Sequence, residues 1–385
     1  MPGVALLLSA TGWVLLALAT IGTAYMAFAT GVLARFLAQR SPASPRATPV
    51  TLLKPLYGTE PKLAENLGTF LEQDHQGPMQ VLFGVQRADD PAITAVRALQ
   101  RRYPEARIDL VIDGTPHGSN GKVGNLVNMM RQAAHDVLIL SDSDMAVGRD
   151  YIAQVLAALD QPGTGAVTCL YRGRGDAGFW SRLASAGPSY QFIVGLVFGK
   201  TRGLADPCMG STIALRRETL DAIGGFAAFA DVLADDHAIG QAVRARGLAI
   251  AIPPLLLVHA STETAFAELW KHELRWAATV RGVSPAGYAG SFIAIPLPMA
   301  LAGMAIHPNY GLAITLAALA VRMATVRVVD RHAGEPTAPL WMLPLRDIAS
   351  FAVFVASFFV RSVDWRGTEL TMLDNGRVAA PSEMT

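Results

Sequence analysis

The chain has 385 residues, of which 51% are hydrophobic and 16% charged, with a formal net charge of +1 and a mean hydropathy of +0.33. That is too apolar for a wholly soluble enzyme and too mixed for a pure transporter, so a soluble domain with membrane attachments is expected. The near-zero charge excludes the basic field that nucleic-acid binding needs. Two cysteines, Cys169 and Cys208, lack metal-ligand spacing and read as reduced cytosolic thiols.

Residues 4–36 are apolar, with no charge before Arg35, which exceeds the roughly 20 residues a bilayer crossing requires. A cleaved signal peptide would carry Lys or Arg ahead of a shorter apolar stretch, so a retained span is expected. Arg35, Arg40 and Arg46 follow it and place the amino terminus outside and the rest of the chain in the cytoplasm. A linker, residues 37–48, leads to a cytoplasmic domain expected over residues 49–281.

In that domain apolar strand patterns alternate with helical ones. Strands are expected at Val50–Leu53, Val81–Val85, Ile108–Ile112 and Val137–Leu140, and helices at Leu63–Glu72, Ala92–Tyr103 and Val123–Ala134. This alternation predicts an α/β domain with a parallel sheet and helices on both faces. Its chemistry is expected on the loops at the strand ends. Phe192–Gly203, rich in glycine and apolar residues, reads as a mobile acceptor loop.

Asp142-Ser143-Asp144 closes the apolar run Val137–Leu140, so two carboxylates sit at the carboxyl end of a buried strand. Carboxylates one residue apart can share Mg2+ or Mn2+, and such an ion can neutralise the diphosphate of an activated donor. Asp89-Asp90-Pro91 follows another strand; Asp90 can accept hydrogen bonds from a base or ribose, or cap the helix that begins at Pro91. Gly118–Lys122 can bring backbone N–H groups and the Lys122 ammonium to phosphate oxygens, or be a solvated turn. Asp235-Asp236 precedes another helix, where Asp236 can act as general base or as a cap. His272-Glu273-Leu274-Arg275-Trp276 lies on an amphipathic helix, where Arg275 beside Trp276 can be a membrane anchor or a clamp for a leaving diphosphate.

Two further spans are expected over residues 286–329, separated by the turn His307-Pro308-Asn309, with Arg322, Arg327 and Arg331 at the exit of the second. Residues 340–362 carry Arg346 and Asp347 and are expected to cross or, preferably, to lie in the interface. Residues 363–385 form the tail.

Taken in order, these sites resemble membrane-bound glycosyltransferases of the family-2 type. More narrowly, Val50–Leu56 with Gly58, Val85-Gln86 with Asp89–Ile93, and the late Trp365-Arg366-Gly367 resemble ceramide glucosyltransferases. The segments 165–173, 210–218 and 272–276 are most similar to the bacterial branch of hopanoid-biosynthesis-associated glycosyltransferases. The resemblance implies a GT-A domain and an inverting transfer. It implies a UDP-sugar donor, UDP-N-acetylglucosamine, and a membrane lipid acceptor, bacteriohopanetetrol. The alternatives are glucosylation of ceramide from UDP-glucose, or a non-catalytic nucleotide-sugar-binding protein. It implies Asp90 at the uridine, Asp142 and Asp144 at the diphosphate and metal, Asp236 as catalytic base, and Arg275 with Trp276 at the diphosphate and acceptor. Lys122 is expected on the donor side, and His272, Cys208 and Met209 on the acceptor side. His272 departs from the family motif, which has Gln or Arg there. The resemblance also implies a multi-pass protein of the bacterial inner membrane.

Overall fold

The computed structural model describes residues 2–39, 47–360, 362–365, 368–372 and 378–379. Arg40, Arg46, Arg366, Gly367 and most of the expected tail lie outside the described residues. Helix α1 (Pro2–Leu37) opens the chain, and β1 (Val50–Pro55), α2 (Leu63–Thr69), β2 (Met79–Val85), α3 (Ala92–Arg102), β3 (Arg107–Ile112), α4 (Gly121–Met129) and β4 (Val137–Leu140) follow. Next come β5 (Met145–Ala146), α5 (Tyr151–Leu159), β6 (Thr164–Val167), β7 (Leu170–Gly175), α6 (Phe179–Gly187), α7 (Ile193–Thr201), β8 (Ile213–Arg216), α8 (Arg217–Ala222), α9 (Asp235–Ala245), β9 (Ala249–Ala251) and β10 (Leu256–Ser261). Helices α10 (Phe266–Val283), α11 (Pro285–Gly290), α12 (Pro296–Ile306), α13 (Pro308–Ala333) and α14 (Met342–Ser357) complete the helical part.

The chain divides into two compact units. One holds residues 47–171 and 206–262. Its main sheet has the order β3-β2-β1-β4-β8-β6-β9. The first four strands run parallel, as the alternating pattern predicts. Strand β8 then pairs antiparallel with both β4 and β6, so the sheet is mixed. Every residue of β1 and β4 is buried, because a central strand covered on both faces has no solvent side to spare. Val50, Leu52, Val81 and Ile139 pack into one core cluster, while Leu53, Leu82, Leu138 and Leu140 point into a second. This is the two-residue alternation of a strand serving two layers.

The other unit holds residues 1–38, 172–205 and 263–368. Of the expected continuous block 49–281, residues 172–205 and the end from Glu263 therefore fall in this other unit. Residues 192–203 are not a loop: Ile193, Val194, Leu196 and Val197 give α7 a buried face, and Phe198 meets Tyr25 of α1 edge-on at 5.1 Å.

Within this unit α1 and α13 are long and apolar enough to cross a membrane. The expected span 286–306 is broken, with α11 and its short extension bent by 57° from α12. The break falls at Ile295, because Pro296 disfavours helical dihedrals in the residue before it. Helix α1 approaches closely at Gly22, where a Cβ would lie 2.4 Å from the Ile293 carbonyl oxygen; small residues permit such packing where no hydrophobic force drives it. Helix α14 has 16 residues, about 24 Å at the rise of an α-helix and short of a bilayer core.

The buried charged side chains Arg322 of α13 and Arg346 and Asp347 of α14 are paired inside the unit. Arg322 pairs with Asp347 and donates to the Tyr190 carbonyl at 2.7 Å, and Gln191 donates to Asp347 at 2.9 Å. Arg346 forks onto Glu273 at 2.8 and 2.7 Å. Asp347→Ala leaves the Arg322 guanidinium buried without its counterion. A loss of about 3–5 kcal/mol is expected, read as a lower Tm in detergent; an unchanged Tm would remove the pair from the stabilising contacts.

Candidate active site

The site in the α/β unit is assembled from strand ends and helix starts. Strand β4 ends at Leu140, so Asp142 and Asp144 emerge at its carboxyl end, and Met145 pairs with His259 across the β5–β10 ladder. Asn120 caps α4, its side chain accepting from Val123 N–H at 3.1 Å. The segment before α4 is tied to the approach of α9: Asn120 N–H donates to Ala230 O at 2.7 Å, Asn120 Nδ2 to Val232 O at 2.7 Å, and Ser119 N–H to Asp231 at 2.8 Å. Two distant helix starts are thereby fixed side by side.

Lys122 stands between their carboxylates, 2.8 Å from Asp142 Oδ1 and 3.2 Å from Asp235 Oδ2. Burial disfavours its ammonium, but Asp142, Asp235 and Asp236 outweigh that and raise its pKa. Burial raises Asp142, Asp235 and Asp236 above the usual carboxylate range, against the pull of Lys122. Asp236 is oriented by the backbone, accepting from Gly210 N–H at 3.0 Å and from His237 N–H at 2.7 Å.

Gly210 joins the two acidic motifs. Its N–H holds Asp236, its carbonyl accepts from Asp142 N–H at 3.3 Å, and a Cβ there would lie 2.7 Å from Asp142 Oδ2 and 3.2 Å from Lys122 Nζ. Gly210→Ala is expected to push Asp142 and Lys122 out of register and lower turnover by about 10²-fold while the chain stays folded. Steady-state assay beside a melting curve checks this, and near-normal turnover would show that the close approach is slack.

Three residues that the sequence reading left without a role complete the geometry. Lys54, in β1, donates to the Asp142 carbonyl at 2.5 Å and to Ser141 Oγ at 3.3 Å, with its ammonium 3.7 Å from the centre of the Phe70 ring. Burial pulls its pKa down to about 7 against the opposing effects of Asp142, Asp144 and Glu60. A lysine directly after the expected strand Val50–Leu53, inside the observed β1, was the available signal. His259 Nε2 lies 3.2 Å from Asp144 Oδ2, but nothing local in the sequence links it to that motif. Asp235 shares Lys122 with Asp142.

Asp90 is buried and does two jobs: it accepts from Ala92 N–H at 2.9 Å, as a cap would, and from Gly58 N–H at 3.0 Å. A carboxylate has about four acceptor positions, so these bonds leave capacity for a base or ribose. Cys208 and Met209 are both 6% exposed; burial raises the Cys208 thiol, and both cysteines are free and buried. Cys208 packs in the second core cluster of the α/β unit. His272, Arg275 and Trp276 belong to α10 in the other unit. There His272 Nδ1 lies 2.5 Å from Glu263 and its ring meets Trp276 edge-on at 4.4 Å.

No group of three or more acidic, histidine or cysteine side chains is positioned to cage a metal among the described residues. The donor set still fits a divalent ion of the kind carried by a nucleotide. Such ions take one or two carboxylates and complete their shell with phosphate oxygens and water, and carboxylate and water oxygens suit Mg2+ and Mn2+.

Residues 14–378 match the family described as Glycosyl transferase family 21. Ceramide glucosyltransferase 1 of Caenorhabditis elegans is 22% identical over 345 residues, covering 86% of this chain and 72% of that protein. Ceramide glucosyltransferase 3 of the same organism is 25% identical over 241 residues, which are 59% of this chain and about half, 49%, of the relative. Among solved structures, a mannosyltransferase from Pyrobaculum calidifontis in complex with GDP-Man and Mn2+ has a TM-score of 0.54 at 21% identity, covering 91% of this chain and 99% of that one. That likeness is one of fold, and with the family match it makes the α/β unit a GT-A domain. The chain belongs to glycosyl transferase family 21, and it is a glycosyltransferase.

Proposed function

We propose that this enzyme transfers a hexose from a UDP-sugar to a hydroxyl of a membrane lipid, with inversion at the anomeric carbon. The names of its relatives, ceramide glucosyltransferases, favour ceramide as acceptor and glucose as the sugar; transfer of N-acetylglucosamine to bacteriohopanetetrol, expected from the sequence, is not among the activities those names give. The observation that carries the reading is Asp236, a carboxylate raised by burial and aimed by two backbone N–H groups beside Lys122. In the reaction the lipid oxygen forms a bond to the anomeric carbon as the bond to the diphosphate oxygen breaks, and the hydroxyl proton passes to Asp236. Lys122 stabilises charge on the departing diphosphate, and Asp90 accepts hydrogen bonds from the uridine. When bound, Mg2+ or Mn2+ would supply charge neutralisation at the diphosphate, with Asp142 and Asp144 as its protein ligands. Arg275 and Trp276 take their diphosphate and acceptor roles from the motif alone, and His272, Cys208 and Met209 have no role in this step.

The membrane helices follow from the acceptor. A lipid leaves the bilayer at a cost of about 0.8 kcal/mol per exposed CH₂, so the donor must come to the membrane. We place the α/β domain on the cytoplasmic side of a bacterial inner membrane, following the arginines after α1 and along α13. The test is a cross-assay of purified enzyme in nanodiscs, pairing UDP-glucose or UDP-N-acetylglucosamine with ceramide or bacteriohopanetetrol, with and without EDTA. Glucosylceramide that disappears with EDTA supports the reading. An N-acetylglucosaminyl hopanoid keeps the mechanism and replaces both substrates, whereas donor binding without any product from these or other lipid acceptors would turn the reading towards a nucleotide-sugar-binding protein.

A further inference from the structure

The membrane-helix unit contains an open recess of ≈ 680 Å³ at the C-terminal end of α13, lined by Val326, Arg327, Asp330, Arg331 and the connection Gly334–Leu340. Helix α13 stops there because Gly334 adopts the left-handed conformation, φ 76°, which glycine takes without steric cost. The acidic groups of the recess are already engaged. Tyr190 donates its hydroxyl to Asp330 at 2.7 Å, and Glu335 is paired with Arg172.

The two arginines are different. Arg327 and Arg331 are one turn apart on the same face of α13, both exposed, and neither guanidinium has a hydrogen-bond or ion-pair partner among the described residues. Arg322, one turn or so earlier, is consumed by Asp347. With Arg172 opposite Glu335, the recess keeps a net positive charge suited to a phosphodiester monoanion. Guanidinium groups bind phosphate oxygens through paired, directional hydrogen bonds. Directly after the recess, Leu340 and Trp341 are 52% and 64% exposed, as expected of residues that meet lipid at an interface.

We propose that this recess binds the phosphate of an anionic glycerophospholipid, clamped by Arg327 and Arg331 at the end of the membrane span. Phosphate is the chemistry recognised, and the lipid is its source because the cationic pair lies where a membrane helix ends beside exposed apolar side chains. Basic recesses between membrane helices bind headgroups in this way.

The test is native mass spectrometry of the full chain in detergent, titrated with phosphatidylglycerol or phosphatidylcholine, comparing wild type, Arg327→Gln/Arg331→Gln, the corresponding double lysine variant, and Arg35→Gln. Wild type is expected to retain one phosphatidylglycerol in preference to phosphatidylcholine, with the preference weakened about tenfold or more in the glutamine variant. The lysine variant keeps the charge and is expected to lose only part of the preference, which guards against misfolding as the cause. Equal retention by the glutamine variant, or an equal loss in Arg35→Gln, would overturn the site. Displacement of the lipid by millimolar inorganic phosphate would overturn the lipid as its occupant.

Discussion

Asp236→Asn is expected to lower turnover by about 10² to 10⁴-fold, the range for losing a positioned general base, while donor affinity stays within a few-fold of wild type. Both carboxylate oxygens now accept backbone N–H groups, from Gly210 and His237. Asparagine offers one acceptor, so its amide nitrogen must face one of those donors, adding a local cost of about 1–3 kcal/mol. Melting curves must therefore accompany the assay, and Asp236→Glu serves as a companion that keeps the base but displaces it. Because burial raises Asp236, wild-type activity is expected to rise with pH through an acid limb lying above the ordinary carboxylate range. That limb belongs to the Asp142, Asp235 and Asp236 group as a whole. Retention of a tenth of wild-type turnover by the asparagine variant, with the acid limb intact, would remove Asp236 from the base role.

The parallel half of the sheet was legible in the sequence because its signals are local. Val137–Leu140 is a short apolar run with nothing polar inside it, and it is a strand over those residues. The placing of Asp142 and Asp144 at its end follows directly. What the sequence did not show depends on residues far apart in the chain. Strand β8 enters beside β4 in the opposite direction, and a strand of four residues carries no mark of its direction. His259 reaches Asp144 through strand pairing, and Gly210 matters through the space it leaves for Asp142; neither fact is a property of neighbouring residues. Phe192–Gly203 misled because its glycines suggested a loop, whereas the apolar residues between them supplied enough buried surface for a helix. Asp90 was ambiguous between capping and binding, and its bonds to Ala92 and Gly58 show that a cap need not exhaust a carboxylate.

Lys122→Met is expected to cost about 2–4 kcal/mol of stability at neutral pH in the presence of EDTA, the lower end reflecting the partial water access of Asp142. Methionine nearly preserves the volume of lysine but leaves Asp142 and Asp235 without the ammonium that now lies 2.8 and 3.2 Å away. The pH dependence gives the prediction its direction. Asp142, Asp235 and Asp236 have folded-state pKa values raised by burial, and removing Lys122 raises them further. Between the unfolded-state carboxylate range, about 4, and those raised values, the folded chain holds more protons than the unfolded one, so stability falls as pH rises. The deficit of the variant should therefore be largest at neutral pH and shrink on acidification towards the unfolded-state range. The raised pKa of Lys122 itself makes its own contribution fall away only at strongly alkaline pH, outside this window. Urea unfolding at a series of pH values in detergent checks both points. A deficit independent of pH would mean that Lys122 acts through packing alone. A variant as stable as wild type at neutral pH would mean that the carboxylates are neutralised without it, and the cationic centre of the site would have to be sought elsewhere.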